Sequence, residues 1–203
     1  GGGARPGRAA PDQPFARQDG AGAVAPVEDD HAAPHLGRGR DLDRALGAGV
    51  KATEMITEIY VPRDRLAAFM ADARVALRER RADVIYGTVR LIERDDETFM
   101  PWARDRYACV VFNLHVEHTP RAIDAAVEAF RELIDLGIVH NGSYYLTYHR
   151  WARKDQVERC YPRMREFLAL KRRYDPGEVF QSNWYRHYRD MFCGDVGRRA
   201  EAL

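Results

Sequence analysis

The stretch YACVVFNLHVEHTPRAI, residues 107–123, contains a strand, a stop and a helix start in one line. Ala108, Val110, Phe112, Leu114 and Val116 recur at every second position, the period of a strand that buries one face. Cys109, Val111, Asn113, His115 and Glu117 fall between them and belong to the opposite face. Thr119-Pro120 then supplies an N-cap and a proline at the first helical position, where its missing N–H has no intrahelical partner to lose. Ile123, Val127, Phe130 and Ile134 follow at helical spacing, so an amphipathic helix is expected up to about Gly137.

The same two periods extend in both directions. Toward the N-terminus, Asp83 to Glu93 (DVIYGTVRLIE) reads as a strand, joined to the first by a polar loop that contains Pro101. Before it, Leu66, Phe69, Met70, Ala73 and Leu77 share one face of a helix over 64–80. Met55 to Val61 is a β-branched strand that Pro62 stops. Toward the C-terminus, Asn141-Gly142 turns the chain into a strand over 143–150 (SYYLTYHR), and one helix is expected over 154–173 before Asp175-Pro176-Gly177. The order β-α-β-β-α-β predicts an α+β, ferredoxin-like fold, an antiparallel sheet with helices on one face and a C-terminal helix added.

Composition divides the chain. Residues 1–50 hold 10 of the 16 Gly and 5 of the 10 Pro, while every Trp and Tyr lies beyond them. Such a segment buries too little apolar surface to offset its ordering entropy, so 1–49 are expected to be disordered, 50–195 to form the domain and 196–203 a tail. With 32 Lys plus Arg against 31 Asp plus Glu, no strong field is present to hold nucleic acid or an anionic membrane. No apolar run is long enough to span a bilayer. Cys109, Cys160 and Cys193 are odd in number and unpaired by any C-x-x-C spacing, which fits a reducing, cytoplasmic setting.

Alternation assigns the chemistry-bearing residues to the face away from the helices. Tyr86, Thr88 and Arg90, Asn113 and His115, and Tyr145, Thr147 and His149 are expected there, with Glu58 from the first strand. This set is too aromatic for a wet face and too polar for a core, so a lid, ligand or second domain is expected over it. Arg90 requires a partner, either Glu58 or a ligand bearing an anion or hydroxyl. His115 and His149 are candidate acid or base groups near neutral pH. A metal reading of His115 and His118 fails, because strand residues three apart face opposite ways, and no metal is expected. Neither a nucleophile elbow nor a phosphate loop occurs in the folded part.

TEIYVPRDRL (57–66), YGTVRLIERDD (86–96), CVVFNLHVEHTP (109–120), YYLTYHRWA (144–152) and CYPRMREFLALKRRYDPGEVFQSNW (160–184) together resemble the C-terminal half of FAD-linked oxidases of the vanillyl-alcohol oxidase type. The branch with aldonolactone and alditol oxidases is the most similar. In that family this half is a cap, or substrate, domain over the flavin ring. The resemblance implies FAD as cofactor, a small hydroxylated substrate, and Arg90, His115 and His149 as catalytic residues. It implies Glu58, Tyr86, Thr88, Asn113, Tyr145 and Thr147 around the substrate, and Asn183 and Trp184 toward the cofactor. Thr88 stands where relatives carry glutamate, and His149-Arg150-Trp151-Ala152 stands where they carry a His-Trp-Gly-Lys segment. The family's flavin-binding half is missing from these residues, so weak or no FAD binding is expected for this chain alone. The competing expectation is a non-catalytic ferredoxin-like module that binds a small ligand or self-associates through the exposed sheet face.

Overall fold

The computed structural model describes residues 50–200. Strand β1 (Ala52–Pro62) leads through a single 3-10 turn into α1 (Leu66–Glu79), then β2 (Val84–Ile92) and β3 (Tyr107–Glu117). Helix α2 (Pro120–Val139) and a two-residue β4 (Ser143–Tyr144) complete a β-α-β-β-α-β core. Three further helices follow: α3 (Lys154–Cys160), α4 (Met164–Tyr174) and α5 (Asn183–Ala200). The strands form one antiparallel sheet in the order β2-β3-β1-β4, and the fold class is α+β as the sequence predicts. The disorder expected of residues 1–49 lies outside the described residues. Of the tail expected over 196–203, residues 196–200 continue the last helix and 201–203 lie outside the described residues. Among the described residues no helix is long and apolar enough to cross a membrane.

β1 and β3 pair without interruption from Ala52↔Glu117 to Pro62↔Tyr107. Their apolar alternates, Ile59, Val61, Val110, Phe112, Leu114 and Val116, meet Phe69, Ala73, Phe130, Leu133 and Ile134 from the two helices. Each of these Val, Leu, Ile and Phe side chains contributes roughly 1.5–3 kcal/mol by leaving water. Thr119 caps α2 by accepting a hydrogen bond from Ala122 N–H at 3.2 Å, with Pro120 at the first helical position. Past α2, Asn141 takes a left-handed φ of 60° and Gly142 presses against β1. A Cβ on Gly142 would stand 1.9 Å from the Tyr60 carbonyl oxygen, so only glycine makes this turn.

Two expectations are corrected. The strand over 143–150 ends after Tyr144, and Tyr148 and His149 then take the faces opposite to those that period two assigns them, while Leu146 keeps the face of Tyr144. Leu146 enters the helix-side core and its carbonyl accepts from the Trp184 indole at 3.3 Å. The helix over 154–173 is broken at Tyr161-Pro162. Proline lacks an N–H and pushes the residue before it out of the helical region, and Tyr161 accordingly lies at φ −130°, ψ 72°. The Tyr161 hydroxyl then donates to the Tyr144 carbonyl, tying the break to β4.

Candidate functional site

The face away from the helices is partly closed by the β2–β3 connection. Asp95 accepts from the backbone N–H groups of Glu97 and Thr98 at 3.1 and 3.0 Å, a local turn that folds residues 93–106 back on the sheet. Trp102 meets Tyr60 edge-on with ring centroids 5.5 Å apart, and Tyr60 stacks on Tyr107. Tyr60, Ala103, Tyr107, Cys109 and Val111 form a second small core here, with Ile56, Ile92 and Tyr145 at its margin.

At the edge of this second core lies a carboxylate. Glu58 is on β1 with the same parity as Tyr60, and only 8% of its side chain is exposed. Its Oε2 accepts from the Tyr60 hydroxyl at 2.8 Å and from the Cys109 thiol at 3.4 Å. Its Oε1 accepts from the Tyr148 hydroxyl at 3.0 Å and faces an Arg90 guanidinium nitrogen at 3.8 Å. A buried carboxylate is tolerated only when its oxygens are filled in this way. Burial first, and Glu58 second, push the Tyr148 hydroxyl up to about 12. Burial and Glu58 likewise push the Cys109 thiol up to about 12, and the Tyr60 hydroxyl rises well above its ordinary value. All three therefore remain protonated donors at neutral pH.

Arg90 differs from the other three. Its side chain is 67% exposed, so it reaches over Glu58 from the water side and is free to turn toward a ligand. The β2–β3 register sets Tyr86 opposite Asn113, Thr88 opposite Val111 and Arg90 opposite Cys109, which puts Tyr86, Thr88, Arg90 and Asn113 on one face. Asn113 donates its amide N–H to Glu54 at 2.9 Å, while its buried Oδ1 has no hydrogen-bond partner. Tyr145 meets Tyr148 edge-on at 4.8 Å. The set offers a hydroxyl-bearing ligand one cationic donor, Arg90, beside one acceptor, Glu58 Oε1.

The remaining expected residues lie elsewhere. His149 does not share this face: it is buried in the helix-side core, stacked on Phe130 at 4.8 Å and beside Trp151 at 5.5 Å. Its Nε2 meets Thr57 Oγ1 at 3.2 Å, and burial pushes the imidazole down to about 4, so it is neutral near pH 7. The cause is the early end of β4, which cancels the alternation that assigned His149 to the open face. Thr147 is exposed on the irregular segment after β4 and is no longer a sheet residue. His115 stands opposite Glu54, four residues along β3 from the partner of Glu58, about 13 Å away at the strand's rise per residue. There it lines a groove with Arg81, Asp83 and Arg121. Trp184 packs on Phe167 and Tyr188 in the helix-side cluster, and the Asn183 side chain accepts from Arg186 at 2.7 Å. Both brace the C-terminal helices. His118 is engaged with Thr53 at 2.6 Å.

Tyr60, Cys109 and Tyr148 are the residues that sequence reasoning did not assign to the site. Tyr60 and Cys109 were accessible to it, since they share the parity of Glu58 and Arg90. Tyr148 was not, because it reaches Glu58 only after the strand has ended. No family model matches the chain, and no curated protein matches it.

Proposed function

We propose that residues 50–195 form the cap half of an FAD-dependent oxidoreductase acting on a hydroxyl-bearing carbon, with the flavin held by a separate domain. The observation that carries this reading is Glu58, a buried carboxylate under an exposed arginine on the sheet face that the helices leave free. The residues present suit a cover better than a cofactor holder. No glycine-rich pyrophosphate loop occurs in the folded part, while Asn113 with its unpartnered buried oxygen, Tyr86 and Tyr145 would border the ring. A flavin bound there supplies a two-electron acceptor for the hydride.

The chain's own residues do the rest. Arg90 donates to the substrate oxygen and stabilises negative charge that develops on it. Glu58 Oε1 accepts the hydroxyl proton, and Tyr148, protonated at neutral pH, keeps that oxygen in position at 3.0 Å. Neither histidine takes part, since His149 lies on the other side of the sheet and His115 lies far along β3.

Calorimetric titration of the full chain with a series of polyols and aldonolactones tests the reading. Binding should weaken at least about tenfold in Arg90→Ala and in Glu58→Gln, the loss expected for about 1.4 kcal/mol of charge-assisted hydrogen bonding. The absence of binding across the series, or stoichiometric flavin absorbance in the lone purified chain, would contradict it. A second reading, a non-catalytic module that binds such ligands, is favoured by the internal donors that already fill Glu58. In that case Glu58→Gln leaves the affinity unchanged.

A further inference from the structure

Of the large hydrophobic side chains exposed among the described residues, Val84, Ile85, Tyr86, Val89 and Leu91 all fall on the nine-residue strand β2. Leu91 is 68% exposed and Val89 50%. The two core helices lie over β1 and β3 and leave this strand uncovered on both faces. β2 is also the edge of the sheet, hydrogen-bonded to β3 on one side and, among the described residues, to no strand on the other. Edge strands are normally blunted by lysine, proline or inward charge, but VIYGTVRLI contains only Arg90. Its one irregularity lies between Val84 and Tyr86, and Tyr86 to Ile92 keep unbroken register with β3.

The strand is complementary to itself. In an antiparallel two-fold pairing centred on Thr88, Val84 to Ile92 of one copy lies against Ile92 to Val84 of the other, with no overhang. On one face Arg90 of each copy then stands opposite Tyr86 of the other, a cation beside an aromatic ring. On the helix side Val89 stands opposite Gly87, a branched side chain over an empty position, and Leu91 meets the irregular Val84-Ile85 step. Centring on Arg90 would set the two guanidinium groups against each other. Centring on Tyr86 would leave Leu91 beyond the end of the facing strand.

We propose that the full chain forms a two-fold homodimer through β2, joining two four-stranded sheets into one eight-stranded sheet with Thr88 at the axis. This rests on the strand edge and needs no ligand, although it brings Tyr86 of the second copy beside Arg90 on the second face. Directly opposed strand residues have Cα atoms about 4.5–5.5 Å apart, within disulfide range. The test is cysteine cross-linking of the 203-residue chain with the partly exposed Cys193 replaced by serine. Thr88→Cys should convert most of the chain to a covalent dimer under mild oxidation. Leu91→Cys, whose counterpart lies six residues away along the strand, about 20 Å, should not. Light scattering of the unoxidised wild type should give twice the 23.2 kDa chain mass, and Leu91→Asp should return it to the single-chain mass. A single-chain mass for the wild type at all concentrations, or equal cross-linking at 88 and 91, overturns the proposal. So does a monomer whose β2 amides are protected from hydrogen exchange, because another segment of the chain would then occupy the edge.

Discussion

The two faces of the central sheet are closed by different chemistry. The helix side is sealed by aliphatic and aromatic side chains, and even its histidine is held neutral among Phe130, Tyr144 and Trp151. The other side is closed only in part, by tyrosines whose hydroxyls converge on Glu58 and by a loop that leaves Arg90 in water. A face that needs only stability can be filled with hydrocarbon. One that keeps a buried carboxylate beside an exposed cation retains a charged pair whose surface equivalent contributes little to folding.

Breaking the helix side should have the largest effect. Phe130→Ala removes a fully buried ring that stacks on both His149 and Trp151, and should cost about 3–5 kcal/mol in denaturant unfolding. Next comes acid sensitivity. Because His149 is pushed down to about 4, the unfolded chain binds the proton first, so its stabilisation is complete above about pH 6.5. As pH falls from there to about 4, up to about 3 kcal/mol should be lost, and His149→Phe should flatten this limb of a pH series of unfolding curves.

The second face should respond less. Glu58→Gln keeps the shape but turns one of the two acceptor oxygens into a donor, which then faces either the Tyr60 and Cys109 donors or the Tyr148 hydroxyl, and should cost about 2 kcal/mol. Tyr148→Phe deletes one hydrogen bond from a half-exposed ring, for about 1 kcal/mol. Arg90→Ala should change stability by less than about 0.5 kcal/mol, since its guanidinium is mostly in water. An Arg90→Ala loss as large as that of Phe130→Ala would erase the difference between the faces.

The sequence resolves these faces unevenly, for physical reasons. β1 and β3 are long and central, with hydrocarbon on the helix face and a smaller, more polar core on the other, so period two assigns Ile59, Phe112 and Leu114 to the helices and Glu58 and Asn113 to the other face, where Arg90 of β2 joins them. β4 is too short to impose a period, and tertiary contacts decide each residue after it. Tyr148 turns to Glu58, His149 turns into the core, and Leu146 O is capped by Trp184. Pro162 stands inside the span expected as one helix, and its missing N–H and its restriction of Tyr161 divide that span in two. The apolar residues of β2 fit the strand pattern, yet nothing in the pattern announces that the helices stop short of them.

The most direct test of the central claim, that the second face holds the ligand, is chemical-shift mapping on the isotope-labelled full chain titrated with a polyol. Saturable shifts should appear at the Arg90 Nε–H and the Tyr148 and Asn113 side chains, with the His149 and Trp151 rings unmoved. Shifts confined to the helix side, or the same pattern in Arg90→Ala as in the wild type, would contradict it.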